Sequence, residues 1–283
     1  MSVDTVGPTL LTFLCLARNC DSTLPIFFSY LVQLNTSGFR CRVLIGENGS
    51  RDRTRALIQE ASGSDVHLLD TSAMAKAPRR LIRTAIGRQA LMDAARDRGW
   101  LDSGYICVAD LDNVMLSPPS PQGIKSAIER LRSDTSIFAV GATSYPVYYD
   151  ILTLRADGHD YTNMEAELAE AKKHPFAYFQ YHQNKIYKNQ RLMTRDEPIY
   201  CASTFNGFCI YNAEDFRQGT YMSENVGDEC EHVNLSLAVG LATGKRMVIA
   251  PELKIRTPSD HAPVGFVRFW FDRIRKLLDS FGV

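Results

Sequence analysis

The sequence has no excess of charge, no paired cysteine motif and no apolar run long enough to cross a membrane. Lys and Arg together number 32, as do Asp and Glu, so no overall field attracts nucleic acid or an anionic membrane. The seven cysteines include no Cys-x-x-Cys pair, which favours a reducing cytoplasm. The early run TLLTFLCLA (9–17) follows no basic segment, which indicates a strand and not a signal peptide. We therefore expect a cytoplasmic globular protein that binds charged ligands at a local site.

The first half of the chain alternates apolar segments with segments of helical spacing. The pattern predicts buried strands at 9–17, 40–48, 65–70 and 105–110, separated by helices at 24–38, 52–63 and 79–99. This order predicts an α/β fold with a mostly parallel sheet flanked by helices. Ligands of such sheets bind at the carboxyl ends of the strands, which is where ARN, ENGS and DLD fall.

The second half is less regular. A helix and a strand (136–143) follow a proline-rich loop (117–123), and a polar, tyrosine-rich insertion then occupies about 144–200. Its segment DYTNMEAELAEAKKHP predicts a helix that stops before Pro175. Regular patterns return at 203–216, in a helix at 229–243 and in a strand at 246–253. Long insertions of this kind usually form a lid or a substrate surface.

Two carboxylates, Asp110 and Asp112, end the strand YICVAD (105–110). Side by side they repel each other, and a divalent cation between them is the simplest remedy. Mg²⁺ and Mn²⁺ take one or two carboxylates and fill their remaining positions with water and phosphate. We therefore expect a metal that holds a diphosphate. The alternative is a solvated strand end, since Asp-x-Asp pairs also arise by chance.

The stretch VLIGENGSRDRT (43–54) predicts a nucleoside site. Glu47 and Asn48 stand at a strand end, and Ser50 precedes a helix whose free N–H groups suit an anion. Arg88, in GRQALMDAA on the helix before the Asp110 strand, is placed to reach the acidic strand end or the phosphates. A solvated helix arginine is the alternative for Arg88.

The order of LARNCDSTLP, ENGSRDRT, GRQALMDAA and VADLDN resembles family-2-type nucleotide-sugar glycosyltransferases of the GT-A fold, and more closely the fungal capsule-associated mannosyltransferase family. The likeness covers 9–116 well and the rest loosely. It implies one Rossmann-like GT-A domain over 1–283, with a nucleotide-binding half (9–116), an acceptor and catalytic half (117–263) and a C-terminal helix (264–283). The implied nucleotide contacts are Ala17, Arg18, Asn19, Glu47, Asn48, Ser50, Arg88, Asp110 and Leu111.

The resemblance also implies metal, acceptor and catalytic residues. Asp110 and Asp112 would hold the metal, and His261 would be a third ligand that favours Mn²⁺ over Mg²⁺. Asn206 and Gly207 would touch the acceptor. The family's base is the Asp of a Glu-Asp-x-x-Leu stretch, and CEHVNLSLA departs from it with Glu231 and His232.

Other roles stay open at these positions. His232 could act as a neutral base, Glu229 or Asp228 could replace it, and a retaining enzyme would need no such base. The acids could also serve only the helix dipole. His261 could be a solvated loop residue.

The resemblance implies transfer of a sugar from a GDP- or UDP-sugar to a glycan or glycolipid acceptor, as in polysaccharide biosynthesis, with mannose from GDP-mannose as the expected donor. Two alternatives remain. VADLDN also resembles the first motif of haloacid-dehalogenase-type phosphatases, with Thr143, Lys185 and Asp228 as partners, although that motif usually opens its domain. The second alternative is a non-catalytic nucleotide-sugar-binding scaffold.

The closing segment 264–281 carries an apolar helical stripe with interleaved cations. Phe266, Trp270, Ile274 and Leu278 fall on this stripe. It favours a helix that docks on the core, and it leaves open a peripheral contact with the inner face of a membrane beside a lipid-linked acceptor.

Overall fold

The computed structural model describes residues 7–161, 163–193, 196–224, 226–259 and 261–281. Its strands are β1 (Thr9–Ala17), β2 (Phe39–Glu47), β3 (Val66–Asp70), β4 (Tyr105–Asp110), β5 (Ile137–Tyr145), β6 (Arg155–Ala156), β7 (His159–Asp160), β8 (Ile199–Cys201), β9 (Phe208–Asn212) and β10 (Arg246–Arg256). Its α-helices are α1 (Leu24–Thr36), α2 (Thr54–Ala61), α3 (Arg80–Asp97), α4 (Pro121–Ser133), α5 (Met164–Ala171), α6 (Pro175–Tyr181), α7 (Lys188–Leu192), α8 (Ala213–Phe216), α9 (Glu231–Thr243) and α10 (Phe266–Phe281). Short 3₁₀ helices at Ser72–Lys76, Asn113–Leu116 and Ile151–Thr153 and a π-helical turn at His182–Tyr187 lie between them.

Within these residues, eight strands form one mixed sheet in the order β3-β2-β1-β4-β9-β5-β10-β8. β1 runs parallel to both of its neighbours, β2 and β4, and β10 runs parallel to β5. β9 lies antiparallel between β4 and β5, and β8 lies antiparallel along β10. The predicted α/β class with a mostly parallel sheet is confirmed.

Both faces of β1 are buried, as the continuous apolar pattern of its sequence predicts. Leu11, Phe13 and Cys15 point into one core, which α1 and α4 cover. Leu14 points into the other core, to which α3 and α9 contribute. Because side chains alternate along a strand, one segment holds the two cores together.

The insertion predicted as a polar surface is partly core. Tyr148, Ile151 and Leu154 are almost fully buried, as are Met164 and Leu168 of α5. They join the core on the α3 side of the sheet. These apolar residues are irregularly spaced among polar ones, so their burial cannot be predicted from the hydrophobic pattern. The helix predicted before Pro175 is present as α5, and Pro175 itself opens α6.

The C-terminal helix α10 docks on the insertion. Phe269 is fully buried, and its ring contacts the rings of Tyr178, Phe179 and His182. The predicted docking on the core is confirmed for this face of the helix. No helix in the described part of the chain has the length and apolar character needed to cross a membrane.

Replacing Phe269 by alanine tests this docking. The variant loses a fully buried ring, so we expect the free energy of unfolding to fall by about 3–5 kcal/mol. Phe271→Ala is the matched control two residues away, because Phe271 is mostly exposed; it should change stability by no more than about 0.5 kcal/mol. Urea unfolding measures both. Equal effects of the two substitutions would contradict the docked arrangement.

Candidate active site

A cavity of about 560 Å³ opens at the carboxyl ends of β1 and β4. This is the edge of the sheet predicted from the sequence, and the volume is typical of a small-ligand site. The walls come from the ends of both strands, the first turns of α3 and α9, and two stretches of the insertion. Of the predicted residues, those that line the cavity are Ala17, Arg18, Asn48, Arg88, Asp110, Leu111, Asp112, Glu231, His232 and His261.

A buried ion pair forms the floor of the cavity. Arg88 Nη2 lies 2.6 Å from Asp110 Oδ1, and the arginine side chain is only 5% exposed. Arg88 Nη1 also donates to the carbonyl oxygen of Leu14 at 3.4 Å, in β1. The prediction that Arg88 reaches the acidic strand end is confirmed. The Nε of Arg88 is buried and has no partner among the described residues, so one donor is left over for a ligand.

Gly87 lets α3 come close enough to place Arg88. A Cβ at this position would lie 2.7 Å from the sulfur of Met74 and 3.0 Å from Leu16 of β1. Glycine therefore allows the helix to pack directly on the strand, and the next residue projects onto the strand end.

The two aspartates differ in environment. Burial raises the pKa of Asp110 to about 7, against the lowering effect of Arg88 and with further raising by Asp112, Asp150 and Glu231. Asp112 is exposed and accepts a hydrogen bond from the Val114 N–H at 3.1 Å, which caps the short helix Asn113–Leu116. A divalent cation would relieve the repulsion around Asp110, and this carboxylate set suits Mg²⁺ or Mn²⁺.

The third predicted ligand, His261, does not complete a metal cluster in this structure. No group of three His, Cys, Asp or Glu side chains that could hold a metal occurs among the described residues. The His261 ring instead lies 5.1 Å from the ring of Tyr149, and the His261 carbonyl accepts from Gln190. Asp110 and Asp112 could hold a metal whose remaining positions are filled by water and phosphate oxygens.

The predicted nucleotide loop splits into residues that face the cavity and residues that shape the loop. Glu47 is fully buried; one of its carboxylate oxygens accepts from the Ser50 N–H and the other pairs with Arg55 at 2.8 Å. The Ser50 hydroxyl accepts from the Asn19 N–H, and the Asn19 side chain accepts from the N–H of Arg51. Glu47, Ser50 and Asn19 do not line the cavity, and their hydrogen bonds hold two strand-end loops together.

Asn48, predicted to contact the nucleotide, lies in the cavity wall. It lines the cavity and is 8% exposed, and its side-chain oxygen is buried with no partner among the described residues. An unpaired buried acceptor is costly, so a ligand donor is the natural partner.

The residues predicted as catalytic occupy three different environments. Glu231 lines the cavity and accepts from the Thr84 hydroxyl at 3.0 Å. Burial alone would raise the pKa of Glu231, but its interactions with His232, Arg88 and the Thr84 hydroxyl leave that pKa below the ordinary value. Glu229 lies outside the cavity lining and forms an ion pair with the nearly buried Arg155. Its carboxylate is therefore engaged in the structure.

His232 is poorly suited to act as a base. Its ring stacks on Phe205 with centroids 3.5 Å apart, and burial lowers its pKa to about 3. An imidazole with so low a pKa takes up a proton weakly near neutral pH. The position that the family resemblance gives to a catalytic Asp is thus filled here by a packed, neutral ring.

Asn206 and Gly207, predicted to touch the acceptor, are buried behind the cavity wall. The Asn206 amide donates to the Ala142 carbonyl at 3.0 Å and accepts from the N–H groups of Tyr149 and Asp150 at 3.3 Å. A Cβ on Gly207 would collide with the Tyr149 hydroxyl. Neither residue lines the cavity, and both contact the loop that carries Asp150.

Asp150 is a cavity residue that the sequence analysis missed. Burial raises its pKa to about 6, and its carboxylate accepts from the Thr153 hydroxyl at 3.0 Å. A carboxylate with this pKa is suited to accept a proton near neutral pH. The sequence around Asp150 contains no motif. Its loop is held by a hydrogen bond to Asn206, which is distant in sequence.

The phosphatase partners do not meet Asp110. Thr143 is buried in β5, Lys185 is exposed on the π-helical turn, and Asp228 pairs with Arg79 at the surface. None of the three lines the cavity.

No protein-family model matches the chain, and neither does any curated protein sequence. Among solved structures, glucosyl-3-phosphoglycerate synthase from Mycobacterium tuberculosis with Mn²⁺, UDP and glucosyl-3-phosphoglycerate is 14% identical over 97% of this chain and 81% of that chain, with a TM-score of 0.45. The same enzyme with Mg²⁺ and UDP is 12% identical over 97% and 80% of the two chains, with a TM-score of 0.47. The likeness is distant, so the chemistry of the cavity is taken from its own residues.

Asp150→Asn should stabilise the metal-free protein near neutral pH and leave it unchanged in acid. The pKa of an aspartate is about 3.9 in the unfolded chain, and burial raises that of Asp150 to about 6 in the folded one. The stability it contributes is fully present below about pH 4 and is lost as the pH rises through about 6. The amide keeps an acceptor for Thr153 and removes that loss, which is on the order of 1–3 kcal/mol at neutral pH.

Urea unfolding with a chelator, at acidic and neutral pH, measures this difference. Asp157→Asn is the control, since Asp157 is an exposed carboxylate of the same segment that does not line the cavity. An equal pH-dependent gain in the control, or none in Asp150→Asn, would contradict the buried environment of Asp150.

Proposed function

We propose that this chain is a metal-dependent glycosyltransferase that moves a sugar from a nucleotide diphosphate donor to a hydroxyl acceptor. The observation that carries the proposal is the cavity floor, where Asp110, Arg88 and Asp112 meet at the carboxyl ends of β1 and β4. Two carboxylates and an arginine with an unused donor fit a metal-bound diphosphate. The resemblance of the motif order to GT-A enzymes supports the same function.

Asp110 and Asp112 would hold Mn²⁺ or Mg²⁺. The bound cation would offset the charge that develops on the diphosphate as the sugar leaves. Arg88 supplies a fixed positive charge beside the same group, and it is already positioned by Asp110 before any ligand binds. Asn48, Arg18 and Ala17 line the end of the cavity nearest β1, where the nucleoside would lie.

Asp150 is our candidate for the general base of an inverting reaction. It lies in the cavity lining, its pKa of about 6 suits proton uptake from a hydroxyl, and Asn206 and Thr153 fix its loop. Glu231 is the second carboxylate on this wall. A retaining enzyme would use neither as a base, and both would then orient the sugar.

The donor is proposed as GDP-mannose from the family resemblance, with UDP-sugars as the second class. The acceptor is proposed as a glycan or glycolipid, as in polysaccharide biosynthesis at the cytoplasmic face of a membrane. The insertion and α10 form the cavity wall at which the acceptor would bind. Tyr187, Gln190 and Arg273 contribute to this wall.

Asp112→Asn should abolish Mn²⁺-dependent turnover without unfolding the protein. Asparagine keeps a side-chain acceptor for the Val114 N–H and loses the charge that binds the metal. We expect slow hydrolysis of GDP-mannose or a UDP-sugar by the wild type, and a fall in kcat of about 10²–10³-fold in the variant. Asp97→Asn, at an exposed site on α3, is the charge-matched control and should keep full activity.

The same assay separates the alternatives. Release of free sugar supports the transferase. Phosphate release from simple monoesters would support a phosphatase, and tight nucleotide-sugar binding without turnover would support a scaffold. Full activity of Asp112→Asn would overturn the metal site.

Asp150→Asn and Glu231→Gln identify the base. If Asp150 is the base of an inverting enzyme, its amide variant should lower kcat by about 10²–10⁴-fold with KM for the donor unchanged. Glu231→Gln should then have the smaller effect on kcat, and the acidic limb of the kcat profile near pH 6 should vanish only in Asp150→Asn. A larger loss in Glu231→Gln would give the role to Glu231.

A further inference from the structure

The outer side of α10 carries apolar residues that the docked helix does not use. Val267, Phe271 and Ile274 follow a spacing of four and three residues, so they share one face. Their side chains are between 55% and 82% exposed. Phe266, near the start of the helix, and Phe176 on the adjacent α6 are also exposed. Exposed apolar side chains that cluster on one face of a surface helix are typical of an interaction surface.

Two segments around this face are rich in cations in a chain with no net charge. Residues 172–192 contain five exposed Lys or Arg and no Asp or Glu; Lys173 pairs with Glu170 of the preceding α5. Residues 264–276 contain four more and a single acid, Asp272, which pairs with Arg268; of these cations Arg268 and Arg275 are exposed, whereas Arg273 faces inward beside His182. We name these two segments together the basic platform. Its charge is complementary to an anionic surface.

The basic platform is one packed unit. Tyr178 and Phe179 contact Phe269, and Gln183 donates to the Val264 carbonyl at 2.9 Å. Arg268 and Arg275 are exposed and each follows a residue of the apolar face, so they flank it along one side. The platform therefore presents an apolar stripe with cations beside it on a rigid support.

We propose that the basic platform docks on the surface of an anionic bilayer, with α10 lying in the plane of the interface. The apolar side chains would enter the boundary between headgroups and acyl chains, and the flanking cations would meet acidic headgroups. The inner side of the platform lines the cavity through His182, Ile186, Tyr187 and Arg273. Docking would thus bring one cavity wall to the lipid surface, where a lipid-linked acceptor of the proposed transferase would lie. The docking itself is independent of that function.

Vesicle co-sedimentation tests the proposal with the full chain. Wild-type protein should sediment with phosphatidylcholine vesicles that contain roughly one-third phosphatidylserine, and at least about tenfold less with phosphatidylcholine alone. Added salt should reduce the binding. The triple variant Val267→Ser, Phe271→Ser, Ile274→Ser should lose vesicle binding and keep its melting temperature, because it changes only exposed positions.

Two further variants sharpen the result. Leu241→Ser removes a highly exposed apolar residue from α9, away from the platform, and should bind vesicles as the wild type does. Arg268→Gln with Arg275→Gln should weaken binding to acidic vesicles while the apolar face stays intact. The proposal fails if wild type does not sediment with acidic vesicles, or if the triple variant binds as well as wild type. It also fails if wild-type protein is a dimer in the absence of vesicles and the triple variant is a monomer. In that case a second copy of the chain would cover this face.

Discussion

The contact between Arg88 and Asp110 is the interaction on which the site depends. A guanidinium that is almost fully buried needs a charged partner, and removal of the Asp110 carboxylate would leave the Arg88 charge buried and unpaired. The pair also joins a flanking helix to the sheet, because Arg88 belongs to α3 and Asp110 ends β4. Gly87 makes this approach sterically feasible. The packing of α3 on β1 and the placement of charge in the cavity are therefore one structural feature.

The cavity contains more negative charge than its fold alone requires. Asp110, Asp150 and Glu231 are mutually repulsive, and burial raises the pKa of Asp110 to about 7 and that of Asp150 to about 6. Keeping such groups close together lowers the free energy of unfolding. Clusters of this kind are typical of sites that bind cations or transfer protons. The unpaired Asn48 oxygen and Arg88 Nε add two buried polar atoms that a ligand would satisfy. A bound divalent cation would offset the negative charge that these carboxylates bring to the cavity.

Much of the nucleotide-binding half could be predicted from sequence, because its signals are local. β1 and β4 match the predicted strands, and Asp110, Asp112, Asn48 and Arg88 converge as the strand-end rule predicts. The contacts of Glu47 with Ser50 and Arg55 could not be predicted, because a strand-end carboxylate has the same sequence context whether it faces a ligand or its own loop. Asp150 and Asn206, whose side chain accepts from the Asp150 N–H, are 56 residues apart. No pattern in either segment predicts this hydrogen bond. The burial of Tyr148 and Ile151 in a polar insertion likewise comes from tertiary packing that a sequence pattern does not contain.

Mn²⁺ binding followed by electron paramagnetic resonance tests the central claim most directly. The free Mn²⁺ signal should fall when wild-type protein is added with GDP or UDP, and fall much less with Asp112→Asn under the same conditions. A signal unchanged by the wild type with either nucleotide, or equally reduced by the variant, would contradict a metal–diphosphate site at Asp110 and Asp112.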